Sequence, residues 1–352
     1  MLRNFILVVF LFFYMQVFAQ NMPQDSAVQS EVLIESNRYK LFSTGINKTT
    51  FDSAAIKENF SNNLTELLSS RSSVYIKDYG ANSLATISFR GTSANHTQVT
   101  WNGFPINSAA NGLVDFSTIP VSQMDRITLV HGGSSSLYGS AAIGGSVQLD
   151  NIPTWEKGSS VMLSNETGSF DTWRPRGKII TGNKNFQSST NFYYNKSRND
   201  YPFVNTILTG SPVNRLTNAS LMQYGLMQSF YFKVGKSNMF SIGVWYQNSE
   251  RHLPPMMFET QSKATQKDSS FRTYVKWTKR FTNGNFTLRS AYFSEYLRYL
   301  NPVINVDSKS LVNKTITETE YRHSFLDKRI TGNLGAGITY AEGNFDHIRS
   351  QL

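Results

Sequence analysis

From about Trp155 onward the chain becomes a succession of runs of about ten residues whose polarity alternates from one residue to the next. Phe240, Ile242, Val244 and Tyr246 fall on one face of an extended strand, and Ser241, Gly243, Trp245 and Gln247 on the other, because successive strand side chains point to opposite sides. Ile330, Leu334, Ala336, Ile338 and Tyr340 oppose Thr331, Asn333, Gly335, Gly337 and Thr339 in the same way. Phe271, Val275 and Trp277 oppose Arg272, Lys276 and Thr278. About nine such runs lie between Val161 and Tyr340. Their links alternate between tight ones (236–238, 283–285, 327–328) and long polar ones (198–216, 251–270, 301–313). Short turns on one side and long loops on the other is the pattern of an outer-membrane β-barrel. A soluble β-sandwich is the other architecture that carries such alternation. Aromatic residues near the run ends, Tyr193-Tyr194, Tyr292-Phe293 and Tyr296 to Tyr299, are expected to form the interfacial girdles of a barrel.

Composition narrows the choice. The chain of 352 residues has 16% charged and 13% aromatic residues and no Cys. The missing Cys excludes disulfide scaffolds, thiolate zinc sites and Cys nucleophiles in this sequence. A mean hydropathy of −0.33 does not suit a polytopic helical membrane protein. Met1-Leu2-Arg3-Asn4 is followed by a nearly unbroken apolar run, Phe5 to Phe18, and a small residue, Ala19. Residues 1–19 are therefore expected to be a secretory signal peptide, with a membrane anchor as the alternative. Residues 20–47 read as a linker with one apolar island, Glu31-Val32-Leu33-Ile34.

Residues 48–152 have a different texture. Leu64, Leu67 and Leu68 stand at helical spacing, with Ser61 and Asn62 as expected caps. Short β runs follow at Ala85–Phe89, Gln98–Trp101 and Arg126–Val130, separated by glycine-rich turns. The prediction is a small α+β domain of about a hundred residues.

Several stretches carry a resemblance: Ile87-Ser88-Phe89-Arg90-Gly91, Val99-Thr100-Trp101-Asn102-Gly103-Phe104-Pro105-Ile106-Asn107, and the segment from Asp125-Arg126 through His131-Gly132-Gly133 and Tyr138-Gly139 to Gly144-Gly145. In this order they resemble the plug domain of TonB-dependent outer-membrane receptors. The family's usual Asp-Gly is Asn102-Gly103 here, and its Arg-Gly-Pro is His131-Gly132-Gly133; this wording is most similar to the cobalamin-receptor branch. The resemblance implies a plug over 48–152, the first part of a transmembrane barrel over 153–352, and a TonB box at Glu31-Val32-Leu33-Ile34. It implies plug-motif positions at Arg90, Gly91, Asn102, Gly103, Arg126, Gly132, Gly133, Tyr138, Gly139, Gly144 and Gly145. Ligand contacts are implied at the plug apices, Tyr79, Gly80 and Asn82 in one loop and Asn107, Ser108 and Asn111 in another. Arg90 and Arg126 are expected to pair either with carboxylates of the barrel wall or within the plug. The glycines are expected to serve turn geometry rather than ligand contact.

A size test bears on completeness. A hundred-residue domain is a sphere of about 17 Å radius, as its radius of gyration of about 13 Å requires. Nine strands tilted about 40° close a cylinder of only about 9 Å radius, against about 22 Å for twenty-two strands. The expected fold class is thus a partial all-β membrane barrel, about nine antiparallel strands of about twenty-two, preceded by the α+β plug. The expectation is a truncated or split receptor for energised uptake of a scarce nutrient such as cobalamin or an iron-siderophore. The alternative is a non-transporting outer-membrane surface or scaffold protein derived from such a receptor. Implied partners are the periplasmic TonB energy-coupling protein, outer-membrane lipid and lipopolysaccharide, and a small nutrient ligand. No metal, cofactor or enzyme activity is expected, since no G-x-S-x-G, Walker A or H-E-x-x-H motif occurs and the five His are scattered. Nor is nucleic-acid binding: the +10 net charge is dispersed rather than striped.

Overall fold

The computed structural model describes residues 47–80, 83–132, 140–325 and 330–346. The expected leader, all but the last residue of the linker, the TonB box Glu31–Ile34, and positions Asn82, Gly133, Tyr138 and Gly139 lie outside the described residues.

The N-terminal elements are β1 (Asn47–Phe51), α1 (Ser53–Glu58), α2 (Leu64–Arg71), β2 (Tyr75–Asp78), β3 (Ala85–Ser88), β4 (Thr97–Trp101), β5 (Phe104–Pro105), β6 (Arg126–His131) and β7 (Gly145–Asp150). Five of these strands form one sheet in the order β1-β6-β7-β4-β5, with β4 and β7 parallel. β2 and β3 form a separate hairpin. Each helix begins where a side chain takes up its free amides. Asp52 accepts from Ala54 and Ala55. Asn63 accepts from the Glu66 amide at 2.9 Å while the Glu66 carboxylate accepts from the Asn63 amide at 2.8 Å. The cap is thus Asn63 and not Ser61 or Asn62, because only Asn63 stands three residues ahead of a glutamate and closes the reciprocal pair. Leu64, Leu67 and Leu68 are fully buried under this helix.

The remainder is one antiparallel sheet. Its strands are β8 (Gly158–Gly168), β9 (Thr172–Gly182) and β10 (Phe186–Ser197). A small outlying hairpin follows, β11 (Pro202–Val204) and β12 (Val213–Arg215). Then come β13 (Leu221–Val234), β14 (Asn238–His252), β15 (Thr265–Phe281), β16 (Gly284–Asn301), β17 (Val306–Phe325) and β18 (Ile330–Phe345). Nine of them run β8-β9-β10-β13-β14-β15-β16-β17-β18 across the sheet, each beside its neighbour in sequence, with β8 and β18 at the edges. This is the expected partial barrel wall.

Alternation places the wall residues. Ser241, Gly243, Trp245, Gln247, Ser249 and Arg251 of β14 are buried on the inner face, while Phe240, Ile242, Val244 and Tyr246 point outward. The links at one end are tight, 183–185, 235–237 and 282–283. Those at the other include 198–220 and 253–264, so the short-and-long asymmetry holds there. The link expected over 301–313 contracts to 302–305, because Val306 to Asn313 continue in register with β16.

The girdle expectation needs a correction. Tyr193 and Phe293 share the inner parity of their strands and are buried, at 4% and 0% exposure. Outward aromatics do form rows near both ends. Trp173 with Tyr194 and Tyr224 with Tyr246 stand towards the long links, while Phe186 with Phe232 and Phe240 with Trp277 stand towards the tight turns. Phe186 and Tyr194 are eight residues apart on β10, about 26 Å along a strand and about 20 Å along the normal at a tilt of about 40°. That is close to the height of an apolar membrane band.

Candidate functional site: the plug seated on the barrel wall

The centre of the molecule is the contact between the N-terminal sheet and the inner face of the wall. Its seat is the β4–β5 hairpin. Asn102 and Gly103 form its two-residue turn with φ of +49° and +87°, the backbone of a type I′ turn, which Asn-Gly tolerates best. The turn presents Trp101 and Phe104, both fully buried. Trp101 packs on Trp245 at 5.3 Å and on Tyr274 at 5.0 Å, and Phe104 meets Tyr274 at 5.7 Å and Phe293 at 6.5 Å. The departure from Asp at position 102 has a local reason. The Asn102 amide donates to Asn151 Oδ1 at 3.2 Å and its oxygen accepts from the Asn151 amide at 2.8 Å. A carboxylate accepts but cannot donate. Gly103 lies under Arg289, where a Cβ would come within 2.5 Å of the guanidinium.

Charge holds the rest of the interface, and its direction reverses one of the two expected arrangements. The wall supplies cations and the plug supplies carboxylates and carbonyls. Arg251, with its side chain 2% exposed, bridges plug Asp115 at 2.7 Å and wall Asp268 at 2.9 Å. Lys178 pairs with plug Asp125. Arg174 sits between plug Glu66 at 3.5 Å and wall Glu166 at 3.6 Å. Arg176 donates to the carbonyls of Phe60 and Asn62, and Lys314 to those of Pro105 and Asn107. Gln247 donates to the Thr118 carbonyl at 3.0 Å and accepts from Arg272 at 3.0 Å, which Glu295 holds in turn. Arg126 pairs inside the plug instead, with Asp150 at 3.0 Å, because the register of β6 on β7 sets the two side by side. Arg90 is exposed in a turn at φ +50°.

The other motif positions have structural surroundings. A Cβ on Gly144 would lie 2.3 Å from Thr92 Oγ1, and one on Gly145 would lie 2.7 Å from both the Phe89 ring and the Val130 carbonyl. Gly91 adjoins Arg90 in the same turn, and the Gly132 amide donates to the Gly144 carbonyl.

The two apical loops stand at the long-link end, since Asp115, which accepts from the Ala85 amide, is held by Arg251 next to the 253–264 link. Tyr79 is 58% exposed and Gly80 closes its loop. In the second loop Asn107 is fully engaged: its oxygen accepts from Gln98 Nε2 and the Val99 amide, and its nitrogen donates to Thr97 and Gly112 carbonyls. The side chain spaces the loop. Ser108 accepts from the Ala110 amide, and Asn111 is exposed at the tip. The wall cations were missed by sequence reading. Their signal was a basic or amide residue at every second position of an otherwise apolar-alternating run.

Comparison with known proteins agrees with this geometry. Residues 40–146 match the family model "TonB-dependent Receptor Plug Domain". The vitamin B12 transporter BtuB of Vibrio cholerae is 36% identical over 124 residues, covering 34% of this chain and 20% of that protein. The BtuB of Photobacterium profundum is 34% identical over 119 residues, covering 34% and 19%. Among solved structures, the siderophore receptor PirA from Acinetobacter baumannii aligns with a TM-score of 0.67 at 13% identity, over 87% of this chain and 49% of that one. The copper transporter OprC aligns with a TM-score of 0.65 at 11% identity, over 85% and 47%. The sequence matches thus span about a fifth of the curated relatives, and the fold matches about half of the solved chains. Residues 40–146 thus carry a plug domain of the TonB-dependent receptor family, seated on the inner face of a nine-stranded wall, and about a third of the chain is similar to the cobalamin receptors.

Proposed function

We propose that the chain forms part of an outer-membrane receptor of Gram-negative cells that takes up a scarce nutrient by energised transport, and that the nutrient is a cobalamin. Completed by further strands, the wall closes around the plug; in the described residues β8 and β18 remain edges, and open edges are unstable in lipid. The outward apolar band meets outer-membrane lipid, and basic surface residues meet lipopolysaccharide. Nutrient binds from the long-link side at the apical loops, through Tyr79, Gly80 and Asn82 of one and Ser108 and Asn111 of the other. The periplasmic TonB protein pairs with the extended segment Glu31-Val32-Leu33-Ile34 by strand addition and pulls on the plug.

The observation that carries this reading is that the plug–wall contact is polar outside the aromatic seat. There the plug is held by single ion pairs and carbonyl contacts, which can exchange for water and let that part of it be displaced without unfolding the wall. The choice of cobalamin over a siderophore rests on the sequence similarity to BtuB. The test is uptake of radiolabelled cyanocobalamin by cells expressing the receptor, with Val32→Pro as the coupling variant. Proline removes a backbone donor from the pairing segment. Surface binding is expected to persist and uptake to disappear. Uptake that survives Val32→Pro sinks the TonB-box assignment, and absence of binding sinks cobalamin.

A further inference from the structure

The plug is held in two chemically different ways on its two sides. Against β14, β15 and β16 it is seated by interleaved rings, Trp101 and Phe104 among Trp245, Tyr274 and Phe293, reinforced by the buried Arg251–Asp115 bridge and the Gln247–Thr118 hydrogen bond. Against β8, β9 and β10 no ring contact joins plug to wall among the described residues, and the contact is made by ions, hydroxyls and amides. Lys178 meets Asp125, Arg174 meets Glu66, and the Ser61 and Ser164 hydroxyls touch at 3.0 Å. Buried polar atoms without a protein partner collect on this side. Ser122 Oγ and both amide atoms of Gln123 belong to the plug, and Ser189 Oγ and Asn191 Oδ1 to β10. All four residues are at most 4% exposed. They are neighbours, because Asn191 is the cross-strand partner of Lys178, whose ammonium holds Asp125, two residues beyond Gln123.

The energetics of opening differ accordingly. Parting the ring side exposes apolar surface to water, which is unfavourable. Parting the polar side exposes amides and hydroxyls that water satisfies, and lets partly exposed ion pairs exchange each other for water. We propose that the plug parts from the wall along β8, β9 and β10, past residues 122–125, while the Trp101–Phe104 hairpin stays seated on β14–β16, so that this polar seam is the route by which solute passes. This deepens the transport reading above and rests on it for the passage of solute, though the asymmetry of opening does not depend on it.

Hydrogen exchange on the receptor in outer-membrane preparations decides the asymmetry without any ligand. The amides of 121, 123, 124 and 125 all have backbone acceptors within the plug, as do those of 102 and 106, so exchange in either segment reports loosening of the plug beside that part of the wall. Residues 119–125 are expected to exchange at least tenfold faster than 99–106. Equal or reversed rates overturn the proposal. A tether then tests the route. The sequence contains no Cys, and Ser61→Cys with Ser164→Cys puts two thiols in contact across the seam. Thr118→Cys with Gln247→Cys, joined by a short reducible bis-thiol reagent, ties the seated side, where the two residues already touch. With cyanocobalamin as probe, the seam tether is expected to cut uptake at least tenfold and reductant to restore it, while the seat tether changes uptake less than twofold. Loss with both tethers means that the plug leaves as one body, and loss with neither means that the route runs elsewhere; either refutes the proposal. A Cys-free parent that takes up no cyanocobalamin refutes the cobalamin reading instead, and the exchange rates still decide the seam.

Discussion

Replacing Arg251 by Met tests the claim that wall cations hold the plug. The guanidinium is 2% exposed and lies 2.7 Å from Asp115 and 2.9 Å from Asp268. Breaking a fully buried pair by removing one partner costs about 3–5 kcal/mol, because the other charge is left uncompensated. Here the two carboxylates keep 15% and 27% exposure and can draw in water, so the expected loss falls to about 2–3 kcal/mol. Asp115→Asn is milder, at about 1–2 kcal/mol. It leaves Arg251 paired with Asp268 and keeps an oxygen for the Ala85 and Ser117 amides, which Asp115 Oδ1 serves. The double variant is expected to cost about 1–2 kcal/mol less than the sum, since the two residues share one contact. The assay is urea titration of the detergent-solubilised receptor, read by pulse proteolysis with chymotrypsin at Phe89, which is 1% exposed until the plug unfolds. A loss below about 0.5 kcal/mol for Arg251→Met, or strict additivity in the cycle, would show that the bridge does not hold the plug and would refute the reasoning.

Trp101→Ala empties the aromatic seat and is expected to cost about 3–5 kcal/mol in the same titration; a loss under about 1 kcal/mol contradicts a tightly packed seat. Gly145→Ala drives a Cβ to 2.7 Å from the Phe89 ring and the Val130 carbonyl, for an expected loss of about 1–3 kcal/mol, whereas Ala substitution at Gly80, with nothing within 4 Å, costs only its backbone strain at φ +105°, about 1 kcal/mol. Burial, assisted by the charge of Arg90, holds His131 below the ordinary imidazole range. The unfolded chain therefore binds the extra proton more readily, and plug stability falls as pH drops from about 7 through the unfolded value of about 6.5 towards the lower folded one. His131→Gln is expected to flatten that slope, and an unchanged slope in urea midpoints across the window would assign the acid sensitivity elsewhere.

The wall was legible in the sequence because one rule generates it. Period-two polarity fixed which face of β14 turns inward, and the structure keeps Ser241, Gly243, Trp245 and Gln247 there. The rule fails where chemistry and parity disagree. Tyr193 and Phe293 read as membrane aromatics by residue type, yet their parity turns them inward, where a plug rather than lipid receives them. The plug was legible as a domain but not in its strands. β7 is buried at Gly145, Ser146, Val147, Gln148 and Leu149 alike, being enclosed between β6 and β4, so it shows no alternation to find. β1 pairs along β6 across 82 positions from Thr49 to His131, a contact no local pattern announces.

The plug–wall interface was the least legible part, and the reason is physical. Arg251, Lys178 and Arg176 sit at inward positions that periodicity predicts to be polar, but period alone does not say whether such a residue meets water or a partner. Only the arrival of Asp115, Asp125 and the Phe60 and Asn62 carbonyls turns solvated lumen charges into clamps. The clamps are also what separates this contact from an ordinary domain core. Burial by ring packing resists every displacement, whereas a cation on a carbonyl can hand its partner to water and recover it. The two kinds of contact are unevenly spread: β14–β16 combine ring packing with the Arg251 clamp, while β8–β10 hold the plug through ions, hydroxyls and carbonyls.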